Sequence, residues 1–188
     1  MWARRALVAI VGASVLLALQ PDASQALAVL MGAAVAIGRA RERSAFAIVA
    51  LIVAALATAW AFTRPDPLEP MPHVEGVFEL SLAYSLSAGV AVVASAAALI
   101  VSLQLNAVTA GRGVSAIAAY YAVLYVCSVA GLTPAPLIGF GAGPWLGFGL
   151  MVGAVSWSVA HRDACNSVQR TASRAADEPE RYAGMSDM

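Results

Sequence analysis

Residues 45–62 read AFAIVALIVAALATAWAF, with no charge, proline or glycine and one threonine. Arg39, Arg41 and Arg43 precede the stretch, and Thr63-Arg64-Pro65 closes it. At about 1.5 Å per residue such a helix covers about 27 Å, close to the roughly 30 Å of hydrocarbon in a bilayer. A helix at a protein–water surface shows an apolar stripe beside a polar one, and this stretch is apolar all round. It predicts a membrane span, and with it an all-α integral membrane fold.

The whole chain agrees. Of its 188 residues 61% are hydrophobic and 12% charged, with a mean hydropathy of +0.78. Soluble domains average about 45–50% apolar and about 25% charged. The excess excludes a water-soluble globule and a disordered chain. A formal net charge of zero gives no basic surface for phosphates, so nucleic acid is excluded as a partner. Every basic residue is arginine and alanine is abundant, a bias that points to a GC-rich bacterial genome. Cys127 falls in an apolar run and Cys165 in the polar tail; a bilayer face between them predicts no disulfide.

Working outward from residues 45–62, five further apolar runs mark spans. The first two cover 2–20 and 23–38, separated by Pro21-Asp22, where Asp22 or Ser24 can cap the second helix. Both are short and reach across the bilayer if their terminal arginines snorkel to the headgroups. Residues 65–72, with Pro65, Pro67, Pro70 and Pro72, predict an extended loop. The fourth run begins near Val77 and meets no strong breaker before Gly111-Arg112-Gly113. Its length exceeds the bilayer, so the span is placed at 80–105, with an end that projects or a kink near Gly89. The fifth span covers 114–132 and the sixth 142–160. Residues 161–188 form a polar cytoplasmic tail, mobile or partly helical.

Arginine placement gives the orientation. With six spans and both termini in the cytoplasm, ten arginines lie inside and only Arg64 outside, as the positive-inside rule demands. The competing expectation is a signal peptide: Arg4-Arg5, an apolar run and small residues near Ala26 and Ala28. Its removal would leave a barely adequate first span, and retention is the expectation here.

Candidate functional residues fall in three places. Glu75 and Glu79 are four apart, which on a helix puts both carboxylates on one face, with His73 nearby as a third titrating group. The depth argument sets Glu79 at headgroup level and Glu75 in water. Ser81, Ser85 and Ser95, with Ser102 and Asn106, make a polar seam on the fourth run, suited to helix packing or to lining a solute path. Glu79 lies about 160° around the helix from Ser81, so carboxylate and seam are separate places.

The third feature is small-residue spacing. Ala28, Gly32 and Ala36 recur every fourth position in the second span, as do Gly139, Gly143 and Gly147, and then Gly149 and Gly153. Small residues at that interval let helix backbones approach closely, within the protein or toward another subunit. Ile138-Gly139-Phe140-Gly141 resembles the Gly-aromatic-Gly core of a potassium-channel filter. No threonine precedes it, and too few residues separate it from the fifth span for a pore helix, so the channel reading fails. A nucleotide-binding reading of these glycines fails too, because the loop faces outward between two membrane helices. His161, Asp163 and Cys165 diverge on a helix and have no fourth ligand near, which leaves no metal site.

With Glu79 at its border, every predicted hydrocarbon core lacks an ionisable side chain other than tyrosine and Cys127. Intramembrane enzymes and ion-coupled transporters bury charged groups for their work. The expectation is a non-enzymatic inner-membrane protein without cofactor, acting through helix packing as an accessory or scaffold subunit. Its partners are the lipid bilayer and a membrane protein or further copies of itself. The alternative is a small-solute transporter or channel using the serine seam.

Overall fold

The computed structural model describes residues 2–20, 22–40, 44–64, 76–137, 147–150, 152–153, 156, 160 and 169. The elements among them are all helices: α1 (Trp2–Leu19), α2 (Ala23–Ala40), α3 (Ala45–Phe62), α4 (Val77–Tyr84), α5 (Leu86–Ala110) and α6 (Arg112–Val129). The chain divides into two compact units, Met1–Trp145, which carries these six helices, and Leu146–Met188. In the second unit 147–150, 152–153, 156, 160 and 169 are helical. Among the described residues α2, α3 and Leu86–Ala107 of α5 are long and apolar enough to cross a membrane, and Gly113–Val129 of α6 is a shorter apolar helix. An all-helical, membrane-embedded protein is the architecture these elements fit.

Local chemistry sets the helix ends. The Asp22 carboxylate accepts the Gln25 N–H at 3.0 Å and caps α2. Ser44 does the same for α3, accepting from the Ala47 N–H at 3.3 Å. At the end of α6, Gly131 takes φ 71°, a left-handed conformation that costs glycine nothing. There the Leu132 N–H reaches the Cys127 carbonyl at 2.9 Å and the Gly131 N–H reaches Ser128 at 3.0 Å, so two otherwise open carbonyls are satisfied.

The fourth run departs from the expected single helix over 80–105. It breaks at Ser85, which is fully extended (φ −166°, ψ 153°), leaving eight residues in α4 and 25 in α5. The Ser85 hydroxyl accepts the Ala88 N–H at 3.1 Å and so starts α5 afresh. Gly89, the expected kink, is helical and serves a different purpose. A Cβ placed there would run into the Leu82 side chain, so the missing side chain makes room for Leu82 over α5.

Packing is inverted relative to a water-soluble bundle. The buried face of α3 is Ala47, Ala50, Ala54, Thr58 and Ala61. Its bulky residues point away: Ile52 is 52%, Leu56 65% and Trp60 60% exposed. Small side chains inside let helix backbones approach, and bulky ones outside cost nothing when the solvent is hydrocarbon. Buried hydroxyls satisfy themselves on their own helix, Ser14 donating to the Ile10 carbonyl at 2.9 Å and Thr58 to Ala54 at 2.8 Å.

Two small clusters tie the first three helices together. Leu7, Ala47 and Ala50 pack with Ile10, Val11 and Ile37, while Ala18, Ala26 and Ala61 pack with Leu17, Ala23 and Ala57. From this group α2 makes the most extensive helix contact in the unit, with α6; α6 in turn packs on α5, and α5 on α4.

Candidate functional site

The α2–α6 seam is built on absent side chains. Ala28 and Gly32 are buried, and a Cβ on Gly32 would stand 3.1 Å from the Ala116 carbonyl oxygen and 3.5 Å from Tyr120 Cβ. Ala36 follows on the same helix at intermediate burial. Two polar bonds fasten the seam. The Tyr120 hydroxyl donates to the Gln25 side-chain carbonyl. Ser24 donates to the Leu132 carbonyl at 3.2 Å, joining the start of α2 to the cap of α6. Cys127, a free thiol, is buried beside Ser24. Elsewhere on α6 the hydroxyls of Ser115 and Ser128 are buried with no hydrogen-bond partner among the described residues. Nothing at the sequence level singled out the Tyr120–Gln25 bond; its signal was a lone amide facing a tyrosine pair across two otherwise apolar runs.

A second feature is a groove of about 460 Å³ between α4, α5 and α6. Phe78 closes it from α4, Val93, Ile100 and Val101 line it from α5, and Tyr125 and Val129 from α6. The Phe78 and Tyr125 rings meet edge to face with centroids 6.5 Å apart.

The residues of the expected serine seam are divided between two helices and the break that joins them. Ser81 lies on α4, Ser85 is the break, and Ser95 lies on α5. Each hydroxyl is engaged locally: Ser81 donates to the Phe78 carbonyl at 2.8 Å and Ser95 to Ala91 at 2.7 Å. Ser85 caps Ala88 and sits 3.0 Å from the Ser87 hydroxyl. Asn106 likewise donates to the Ser102 carbonyl at 2.8 Å.

Glu79 occupies the first turn of α4 and is exposed. A carboxylate there is stabilised by the open N–H groups of the helix start. The helix begins only at Val77, and Glu75 and His73 lie outside the described residues. So do Gly139, Gly143, His161, Asp163 and Cys165. Gly147, Gly149 and Gly153 are helical and exposed, with nothing within 4 Å of an added Cβ. Among the described residues no three His, Cys, Asp or Glu side chains gather.

The remaining surface of α5 is distinctive. Ser87, Ala91, Ala94, Ser95, Ala98 and Ser102 are all exposed, and on a regular helix they share one arc of about 100° that contains no bulky side chain before Leu105. The arrangement offers close contact for another helix. No family model, characterised protein or solved structure matches this chain.

Proposed function

We propose that the chain is a six-span bacterial inner-membrane protein with both termini cytoplasmic, acting without catalysis as an accessory or scaffold subunit that packs against another membrane protein. The observation that carries this reading is the Ala/Ser arc of α5, which the described helices of Met1–Trp145 leave exposed. Lipid-facing helix surfaces elsewhere in the unit are bulky, as in α3, whereas a face of small residues is the kind that receives a neighbouring helix. The comparable face of α2 is already spent on α6, so α5 is where a partner gains most.

Supporting the orientation is the ten-to-one arginine distribution, which an odd number of spans would spoil. Residues 45–62 and 86–107 contain no ionisable side chain, which counts against ion-coupled transport and intramembrane catalysis. The rival solute path along Ser81, Ser85 and Ser95 gains no support, because the three sit on separate elements with their hydroxyls engaged locally.

The test is to place bulk on the arc. Tagged wild type and the Ala91→Leu/Ala98→Leu variant are recovered in mild detergent from the native host. The proposal expects a partner at near-equal amount with wild type and its loss with the variant, at unchanged helix content. Equal recovery with both proteins, or none with either, refutes it.

A further inference from the structure

We infer that α4 is an interfacial helix, lying in the membrane surface where α5 begins, with Leu80 and Tyr84 among the lipid headgroups and first acyl carbons and Glu79 turned to water. The inference rests on α5 crossing the bilayer and not on the accessory-subunit reading.

Length comes first. The 25 residues of α5 reach about 37 Å at 1.5 Å per residue and already fill the hydrocarbon layer, leaving no depth for a further eight-residue helix along the same axis. Ser85 makes the turn that this requires, with extended backbone and its hydroxyl starting a new helix. The fold-back is held at both ends of α4. Leu82 lays one edge of its side chain over Gly89 and keeps 54% of its surface exposed, while the buried Phe78 sets its ring against Tyr125 of α6.

These two anchors use one side of α4. The other side carries Leu80, 47% exposed, and Tyr84, 87% exposed, four residues apart and therefore adjacent on the helix. Leu86 and Val90, in the first turns of α5, are also exposed. If α5 lies in lipid, these first turns bring the lipid boundary to the end of α4. Tyrosine is the residue type that favours this depth, with its ring among chains and its hydroxyl among headgroups. Glu79 is the sole charge on α4 and sits about 100° from Leu80 and about 140° from Tyr84 around the helix. A helix lying flat can keep that carboxylate in water while both apolar side chains enter lipid.

Site-directed spin labelling of the full chain tests this. Single cysteines replace Glu79, Leu80, Tyr84 or Val90 in a Cys127→Ala/Cys165→Ser background, in nanodiscs of phosphatidylethanolamine and phosphatidylglycerol. Collision rates with oxygen and with a water-soluble nickel complex report depth. The expected result is nickel accessibility several-fold lower at 80 and 84 than at 79, with both shallower than 90. Labels at 80 and 84 as accessible as 79 would overturn the inference, since α4 would then project into water. So would all three as deep as 90, since α4 would then be intramembrane. Nickel access at 90 would remove the premise that α5 spans, and the inference with it. Leu80 and Tyr84 report independently, so failure of one variant to fold leaves the other to decide.

Discussion

Substituting Gly32 by alanine, with Gly38→Ala as its counterpart on the same helix, separates close packing from helix propensity. At Gly38 an added methyl meets nothing within 4 Å, so the change acts through the backbone alone. Alanine in a helix interior is favoured over glycine by about 1 kcal/mol, and Gly38→Ala is expected to stabilise by up to that amount. At Gly32 the same methyl stands 3.1 Å from the Ala116 carbonyl oxygen, a backbone atom that yields only if α6 moves. Overpacking a well-fitted contact costs about 1–3 kcal/mol, so the net effect of Gly32→Ala is a loss of about 0–2 kcal/mol. The two variants should therefore differ by about 1–3 kcal/mol. Unfolding by dodecyl sulfate titration in mixed micelles, followed by circular dichroism, measures both. Equal shifts at the two positions would refute the α2–α6 contact as the reason for Gly32.

Four further expectations follow from named contacts. A double-mutant cycle on Tyr120→Phe and Gln25→Leu should return a coupling of about 0.6 kcal/mol, the mean for hydrogen bonds between membrane helices, and at most about 1.7; zero coupling would contradict the bond. Ser85→Ala removes the cap of α5 and should cost about 1 kcal/mol in the same titration; Gly89→Val should push Leu82 and α4 away, so that a cysteine at Phe78 gains reactivity toward maleimide, and unchanged protection would count against the fold-back. Cys127, 4% exposed, should resist a water-soluble maleimide in the folded protein and react once dodecyl sulfate unfolds it; rapid labelling of the folded chain at this thiol would contradict the packing of α6 on α2.

The first three helices were legible because their ends are written in single residues. Asp22 caps α2 and Arg39 stands in its last turn, whereas Ser44, which caps α3, carried no such reading in the sequence. Ser24, the other candidate cap, bonds instead to Leu132, more than a hundred residues on, and no local pattern announces that. The break at Ser85 was hidden for a related reason. Serine is no breaker by itself, and glycine is the usual suspect for a kink, so attention falls on Gly89. What the sequence did contain was a length problem: the fourth run was too long for one bilayer crossing. The serine seam was drawn on one regular helix through 77–110, and the extended Ser85 divides its members between α4 and α5. For α2, the spacing of Ala28, Gly32 and Ala36 indicates a packing surface but not its neighbour. That neighbour, α6, is set by tertiary structure alone.

Packing against another membrane protein, the proposed role, has a direct signature in the mass of the purified particle. Native mass spectrometry of the tagged wild-type chain, extracted in mild detergent, tests it most directly. The account predicts a complex heavier than the chain by one defined partner, at near-equal amount. A bare monomer, or an assembly of this chain alone, would contradict the accessory-subunit reading.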